Sequence, residues 1–427
     1  MPAKLLDDCF LHDRDRLKHA EALEILRERV QPVTASERVA LDDAAGRILA
    51  QDVIASRPVP AHANAAVDGY AFDHATYDRD NGTTYRVICR AAAGHPLRVA
   101  PKPDQAVRIF TGAVMPDGTD TVVMQEDVTT QLDGASGDWV VMPPGLKSRA
   151  NVRLAGEDVK AGTLLLAAGD RLRPQDLAAL ASIGVAEVSC HSRLTVGIVS
   201  TGDEIVRPGA RDLQRGEVFD ANAPMLRALL TSAGVRILDL GIWPDRASEV
   251  RRRLAEAAQR CDVLVTSGGA SRGEEDHMVR AIEALGRRHL WQLAIKPGRP
   301  MSFGQIGDTV VLGLPGNPVA VLVCYLLYAV PLLGRLSGSH WREPRRFAVP
   351  AAFSFPNRKT GRREYWRGIL QDRDGRLAVG KFARDGSGLI SGLREADGLI
   401  EIPEEVPEVR EGDPVAFIPF TEFGILR

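Results

Sequence analysis

The sequence lacks the features of a secreted, membrane-bound or nucleic-acid-binding protein. Its five cysteines are widely spaced and form no Cys-x-x-Cys pair, which favours reduced, mostly buried thiols over a disulfide framework or a metal site. The net charge is only −2, so no general basic surface is available for nucleic acid or an anionic membrane. Residues 1–20 carry charges and lack the apolar core of a signal peptide. We therefore expect a cytoplasmic protein.

Long hydrophobic runs are also missing. The longest, residues 319–334, falls short of the roughly 20 residues that a membrane span needs, contains Pro331 and follows Pro318. We interpret it as a buried helix. At 427 residues the chain exceeds the size at which a single hydrophobic core stops growing, so we expect two to four domains.

Changes of pattern along the chain predict where the domains lie. Apolar residues at helical spacing in 15–30 predict an amphipathic helix. Short β-type runs between residues 57 and 142, rich in Gly and Pro, predict a small β-domain. Residues 160–190 offer too little apolar surface to stand alone. We expect them to pair with residues 32–56, which would make the β-domain an insertion.

From Leu194 the pattern alternates between strand and helix, which predicts a mostly parallel sheet wrapped by helices on both faces. We expect helices capped by Asn222 and Asp245. The predicted strands are 194–200, 235–240, 263–266 and 290–295, with a hairpin-like section at 301–312. After Pro344 the pattern returns to short β-runs and predicts a compact barrel or sandwich.

The glycine loop at residues 267–276 is the most informative stretch. It lies between a buried strand and a helix, an arrangement that presents backbone N–H groups and a helix N-terminus to an oxyanion. The loop includes Gly268, Gly269 and Ser271 and ends in three acids, of which the last is Asp276. These acids would repel an anion unless a cation lay between them. The loop therefore indicates a metal-assisted phosphate site.

Further loops follow the other strands of the predicted sheet, and parallel strands share one carboxyl edge. The loops contain Glu204, Asp245, Lys296, Arg299 and the segment Leu314-Pro315-Gly316-Asn317-Pro318. Glu204 and Asp276 suit Mg²⁺, which takes one or two carboxylates with substrate phosphates. Lys296 and Arg299 suit phosphate charge. Each loop alone could be a turn or a helix cap, but together they indicate phosphoanhydride or nucleotide chemistry.

A basic stretch at residues 358–363 precedes a predicted strand of the C-terminal region. We interpret it as a solvated hairpin, with contact to a substrate phosphate as the alternative.

Several motifs together resemble the molybdopterin molybdenumtransferase (MoeA) family, whose eukaryotic relatives include the gephyrin E domain. They cover nearly the whole chain. They are NAAVDGYA at 64–71, RIFTGA at 108–113, NVRLAGED at 151–158, STGDE at 200–204, the glycine loop, AIKPG at 294–298, LPGNP at 314–318, REY at 363–365 and GSGLIS at 386–391.

The resemblance implies an α/β multidomain fold of four parts and an elongated homodimer of L-shaped subunits. Residues 1–56 with 155–190 would form an elongated linking and dimerisation domain, and 57–154 the inserted β-domain. Residues 191–340 would form a doubly wound, mostly parallel α/β domain similar to MogA, and 341–427 a C-terminal β-barrel. The cleft would lie between the α/β domain and barrel of one subunit and the inserted β-domain of the other.

The resemblance also implies an activity: insertion of molybdenum from molybdate into adenylylated molybdopterin, with Mg²⁺-dependent release of AMP. The implied catalytic residues are Asp68, Asp158, Glu204 and Asp276, of which Glu204 and Asp276 would bind the metal. The implied substrate- and anion-binding residues are Thr111, Arg153, Asp245, Gly268, Gly269, Ser271, Lys296, Arg299, Pro315, Gly316, Asn317 and Ser387.

Three positions depart from the family pattern. Ala65 and Val67 stand where the family usually has Ser and Met, and Arg299 replaces a lysine of many relatives. Two other functions stay open: a non-catalytic, gephyrin-like scaffold, and a molybdopterin adenylyltransferase or pyrophosphatase that uses the same α/β module. The sequence does not distinguish molybdate from tungstate, since the two oxyanions have the same charge and nearly the same size.

Overall fold

The computed structural model describes residues 17–131, 138–268, 277–298 and 300–426. Its N-terminal part contains helix α1 (His19–Arg29) and strands β1 (Ser36–Ala40) and β2 (Val53–Ile54). The apolar stripe of α1 packs into the largest hydrophobic core, which it shares with the α/β domain. The N-terminal helix thus packs against residues that lie more than 150 positions later in the sequence.

The chain then enters a predominantly antiparallel β-region. Its strands are β3 (Asn64–Ala65), β4 (Gly69–Phe72), β5 (Thr83–Ala91), β6 (Gln105–Ile109), β7 (Thr121–Met124), β8 (Thr129–Gln131), β9 (Trp139–Met142) and β10 (Val152–Arg153). Six of these strands form one sheet in the order β7-β4-β6-β5-β9-β8. β10 pairs with β3 beside that sheet.

The chain returns to its N-terminal segment through β11 (Leu164–Leu166), α2 (Pro174–Ser182) and β12 (Glu187–His191). β12 is antiparallel to β1, and β11 is antiparallel to β2. The small β-region is therefore inserted between two chain segments, β1–β2 and β11–β12, that pair with each other. The domain boundaries drawn from the sequence stay a prediction.

The α/β region follows. Its elements are β13 (Thr195–Thr201), β14 (Ile205–Val206), β15 (Val218–Phe219), α3 (Asn222–Ser232), β16 (Arg236–Trp243), α4 (Ala247–Ala258), β17 (Val263–Ser267), α5 (His277–Leu285), β18 (Arg287–Gln292), β19 (Ile295–Lys296), β20 (Pro300–Ile306), β21 (Thr309–Leu314), α6 (Pro318–Cys324) and α7 (Val330–Leu336). The sheet order is β16-β13-β17-β21-β20-β18. The first four strands are parallel, whereas β20 is antiparallel to both of its neighbours.

Three local predictions in this region are wrong. The strand expected at 290–295 ends at Gln292, and residues 295–296 form β19, which leaves this sheet and pairs with the C-terminal one. Asp245 does not cap α4, because the N-cap is Arg246 and the backbone N–H of Asp245 donates to Asp203 Oδ1 instead. Asn222 begins α3 rather than capping it.

The apolar segment Pro318–Leu336 runs through α6, a π-helical turn (Tyr325–Ala329) and α7. It is long and apolar enough to cross a membrane by length and composition alone, yet 78% of its 18-residue window is buried inside the protein. The interpretation as a buried core helix is confirmed. The cysteines within the described residues are free, and three of these four are buried, as expected.

The C-terminal elements are β22 (Phe347–Pro350), β23 (Arg363–Arg373), β24 (Arg376–Lys381), α8 (Ile390–Glu395), β25 (Gly398–Ile402) and β26 (Pro414–Pro419). The sheet order is β19-β23-β25-β26-β22, with β24 also paired to β23. An isolated bridge joins Ala351, just after β22, to Val379 of β24. The whole molecule is a mixed α/β multidomain protein.

Candidate functional site

A cavity of about 620 Å³ lies between the α/β region and the C-terminal sheet, a volume within the range of small-molecule sites. Six of the residues that the sequence assigned to substrate or anion binding line it. They are Gly268, Lys296, Pro315, Gly316, Asn317 and Ser387. Gly268 at the end of β17 and the segment after β21 therefore meet, as the shared sheet edge predicts. Lys296 joins them from β19, which belongs to the C-terminal sheet.

Gly268 is the second residue of the glycine loop and lies at the strand ends. Its N–H donates to Leu314 O at 3.1 Å, which links the ends of β17 and β21. Its φ is +92°, and a Cβ there would lie 2.9 Å from Thr201 Oγ1. Glycine is therefore required by both conformation and space.

Two contacts hold the walls of the cavity together. β19 pairs in parallel with β23, with Lys296 opposite Glu364. On the other side, Asn317 Nδ2 donates to Ser387 Oγ at 2.9 Å and Val319 N donates to Ser387 O at 2.9 Å. The cavity is therefore a fixed interface between two sheets.

The charge of the cavity lining is mainly positive. Lys296, Arg362, Arg367 and Lys381 line it, with Asp385 as the one carboxylate among the described lining residues. Aromatic walls accompany these cations: the Arg367 guanidinium carbon lies 4.6 Å from the centroid of the Phe382 ring, and Lys381 Nζ lies 5.4 Å from that of Trp366. Cations beside rings suit an anionic ligand that carries a flat ring system.

Sequence reasoning missed most of this second wall. Two signals pointed to it: Ser387, assigned through the motif at 386–391, and the basic stretch at 358–363, for which contact with substrate phosphate was the alternative interpretation. Arg362 lines the cavity, whereas Arg358 is 5% exposed and donates to carbonyls of residues 362, 403, 404 and 406. The expectation of a solvated hairpin is therefore wrong for Arg358, because backbone carbonyls replace its water.

Glu204 and Asp245 follow β13 and β16 at the same sheet edge, and neither lines the cavity. Both are exposed. The Glu204 carboxylate fills the space over Gly202, where a Cβ would lie 2.4 Å from Oε2. Asp203 Oδ1 accepts a hydrogen bond from the N–H of Asp245, which joins the two loops.

Asp220 is a buried carboxylate of this edge that sequence reasoning did not single out. It is 3% exposed, accepts from Ser200 Oγ at 2.6 Å and from Ala223 N at 3.0 Å, and pairs with Arg207 at 3.4 Å. It performs the helix-capping role predicted for Asn222. Asn222 Nδ2 instead donates to Gly316 O at 2.7 Å and so supports a turn of the cavity lining.

The small β-region holds a second group of predicted residues. Asp68 Oδ1 accepts from Thr111 N at 2.8 Å and from Thr111 Oγ1 at 2.7 Å. These hydrogen bonds lower the pKa of the Asp68 carboxyl, since they favour its charged form. Arg153 lies on β10 and Asp158 in the loop beyond it, and both are exposed. None of these four residues lines the cavity.

Four predicted positions, Gly269, Ser271, Asp276 and Arg299, lie outside the described residues. Within the described ranges, no group of three or more His, Cys, Asp or Glu side chains could hold a metal ion. Mg²⁺ needs only one or two protein carboxylates when substrate phosphates supply other oxygens. The exposed carboxylate of Glu204, at the end of β13, fits that requirement; the pairing with Asp276 stays a prediction.

Three family models match the chain. They describe a MoeA N-terminal region (domain I and II) at residues 17–184, a probable molybdopterin binding domain at 197–335 and a MoeA C-terminal region (domain IV) at 348–420. Together they span most of the described structure.

Similar proteins include the molybdopterin molybdenumtransferase of Haemophilus influenzae, 37% identical over 389 residues, or 91% of this chain and 94% of that one. Gephyrin of Dictyostelium discoideum is 29% identical over 361 residues, or 74% of this chain and 49% of that protein. A crystal structure of the molybdopterin biosynthesis protein MoeA from Pyrococcus horikoshii matches with a TM-score of 0.81 and 26% identity, and covers 95% of this chain and 100% of that one.

Proposed function

This chain belongs to the MoeA family of molybdopterin molybdenumtransferases, and we propose on that premise that it inserts molybdenum from molybdate into adenylylated molybdopterin and releases AMP. Membership makes it a transferase of molybdenum cofactor biosynthesis. The observation that carries the proposed reaction is the cavity of about 620 Å³, whose lining includes four cationic side chains and glycines at strand ends. Such a site suits molybdate and phosphate oxyanions.

The residues of the cavity would act mainly through charge. Lys296 and Arg362 offer cations to molybdate or to the phosphate that leaves with AMP. Stabilising charge at a leaving group with fixed donors is often the largest catalytic contribution. Mg²⁺, when bound through Glu204 and Asp276, would supply further positive charge to the phosphate oxygens. Asp68 and Asp158 are the proposed additional catalytic acids.

We further propose a homodimer in which the inserted β-region of one subunit completes the cavity of the other. The described residues that line the cavity fall between 268 and 387, and none comes from 57–154. Catalytic roles for Asp68 and Asp158 therefore favour a contribution from a second copy. We also propose a cytoplasmic location, a linking and dimerisation role for residues 1–56 with 155–190, and a barrel in the C-terminal region, which the bridge between Ala351 and Val379 favours.

The reaction is tested with purified protein, adenylylated molybdopterin, molybdate and Mg²⁺. We expect AMP release that requires both molybdate and Mg²⁺, and a product that activates a molybdenum-dependent apoenzyme. Lys296→Ala should lower turnover by ~100-fold, because it removes a charge-stabilising group, in a protein that remains folded, since Glu364 keeps its hydrogen bonds from Arg362 and Trp366. The exposed Lys147→Ala is the matched control and should retain wild-type turnover.

Two results would contradict the proposal. The first is the absence of both AMP and active cofactor with the wild-type protein. The second is transfer of AMP from ATP to molybdopterin by this protein alone, which would favour the adenylyltransferase alternative. A folded protein without either activity would favour the scaffold.

A further inference from the structure

Glu364 is a buried carboxylate directly behind the cavity lining. It lies on β23, opposite Lys296 of β19, and is 2% exposed. Its Oε2 accepts from Trp366 Nε1 at 2.9 Å and lies 3.5 Å from Lys296 Nζ. Its Oε1 accepts from Arg362 Nε at 3.2 Å. Lys296 and Arg362 line the cavity, whereas Glu364 does not.

The other cation near Glu364 has partners of its own. Arg358 lies 3.7 Å from Glu364 Oε1, but its guanidinium donates to four backbone carbonyls. Glu364 therefore balances the buried charge of Arg358 as well, but of its three neighbouring cations only Lys296 and Arg362 line the cavity. A carboxylate buried to this degree is stable only when it is paired, so these contacts persist in the absence of ligand.

The Lys296 side chain is 40% exposed, so an anion in the cavity can reach its ammonium group. Each such anion competes with Glu364 for the same cation. The pairing with Glu364 holds Lys296 and Arg362 in place before the anion arrives, which favours turnover. The competition makes the anion bind more weakly than it would bind to the two cations without Glu364.

We propose that Glu364 is a positioning residue that orients Lys296 and Arg362 toward the cavity and limits the affinity of this site for oxyanions. The contact between the two residues joins two parts of the molecule, since Glu364 lies on β23 of the C-terminal sheet and Lys296 on β19, which follows the α/β strands in the chain. This inference rests on the proposed function for its effect on turnover. Its effect on binding is independent of that function.

The test compares Glu364→Gln and Glu364→Asp with the wild-type protein. Calorimetric titration with molybdate alone gives Kd, and AMP release gives kcat and KM. Glu364→Gln removes the competing charge, so we expect molybdate to bind ~10-fold tighter while kcat falls by ~10-fold or more because the cations are no longer fixed. Glu364→Asp keeps the negative charge but places the carboxylate one methylene farther from Lys296 and Arg362. The cations are then held less firmly, so kcat should fall, while the Kd for molybdate stays near the wild-type value because the competing charge remains.

Glu401→Gln is the matched control. Glu401 is 3% exposed, lies on the adjacent strand β25 and pairs with Arg346 and Arg363, two cations that do not line the cavity. It also accepts from the hydroxyl of Tyr365, which lines the cavity, at 3.1 Å, and the amide oxygen of Gln can accept the same hydrogen bond. This variant should lower the melting temperature as much as Glu364→Gln but leave the Kd for molybdate unchanged. The same tightening in both variants would overturn the proposal.

Two further results would also overturn it: Glu364→Gln that binds molybdate no tighter than the wild type, or Glu364→Asp with full kcat. If Glu364→Gln does not fold, the kcat of Glu364→Asp still decides. A wild-type protein that binds molybdate but releases no AMP would instead count against the proposed function, and the Kd comparison would still test the charge effect.

Discussion

Among single residues, His19 connects the N-terminal helix to the rest of the molecule. It is 2% exposed, and its Nδ1 lies 2.8 Å from the hydroxyl of Tyr328 in the core helix. Its ring also packs edge-on against Tyr365, a residue of the cavity lining. Burial lowers the pKa of His19 to about 4, an effect that Glu401 partly opposes and Arg363 and Arg346 reinforce. The docked helix therefore contains a neutral imidazole.

This depressed pKa predicts a pH-dependent stability. The unfolded chain protonates His19 near pH 6.5, whereas the folded protein does so only near pH 4. Above pH 6.5 His19 is neutral in both states, so the free energy of unfolding does not depend on its protonation. As the pH falls from 6.5 toward 4, the unfolded chain binds this proton first and the free energy of unfolding falls by about 3 kcal/mol. In His19→Gln, the free energy of unfolding from urea titrations should depend less on pH between 6.5 and 4 than it does in the wild type. The exposed His62→Gln should retain the wild-type profile, and an identical slope in His19→Gln would contradict the assignment.

Among the elements, β4 is the strand that depends most on one small residue. It lies between β6 and β7 in the small sheet, and a Cβ on Gly69 would lie 1.8 Å from Val123 O of β7. Asp68 immediately precedes this residue, and its carbonyl accepts from Gln125 N at 3.1 Å. The close approach of β4 to β7 therefore also determines where the Asp68 carboxylate lies.

Gly69→Ala should consequently lower the free energy of unfolding by ~3 kcal/mol or more, because a backbone oxygen cannot move aside without breaking the ladder. Thermal unfolding and limited proteolysis within residues 57–154 would measure the loss. Gly334→Ala, in α7, is the matched control. Its nearest heavy atom lies 4.0 Å from the added Cβ, so this variant should be neutral or more stable by up to about 1 kcal/mol. A Gly69→Ala protein as stable as the wild type would refute the steric argument.

On the scale of the whole molecule, the predicted site residues form two separate groups. Lys296 and Ser387 line the cavity between the α/β region and the C-terminal sheet, whereas Asp68 and Thr111 lie on the small β-region and do not. If both groups serve one reaction, a second subunit must unite them. This arrangement can be tested without a structure of the dimer.

If the proposed homodimer shares its cavities between subunits, Asp68→Asn and Lys296→Ala should each inactivate the protein, but a mixture of the two should recover activity. A heterodimer has one cavity with both residues intact, so an equal mixture after subunit exchange should reach about a quarter of wild-type activity. AMP release before and after exchange measures the recovery. The double variant mixed with itself is the control, and no recovery despite exchange would show that the two groups do not combine across subunits.

Much of the local structure was predictable because it depends on neighbours in sequence. Strand and helix periodicity from Leu194 onward predicted the α/β region, the run at 319–334 predicted the core helix, and the short β-runs after Pro344 predicted the C-terminal strands. The caps were less predictable: Asp220, rather than Asn222, serves α3, because its side chain also binds Ser200 of a distant strand. A contact of that kind has no local pattern.

The sequence by itself determined the element types, the glycine turns at the strand ends and the family. Only the tertiary structure decided that β19 joins β23, that Arg367 and Lys381 complete the cavity wall and that Glu364 lies behind Lys296. The physical reason is that these partners are separated by about 70 residues of chain or more. Backbone pairing between two sheets and the burial of one carboxylate bring them together, and neither is encoded in the local pattern of polar and apolar residues.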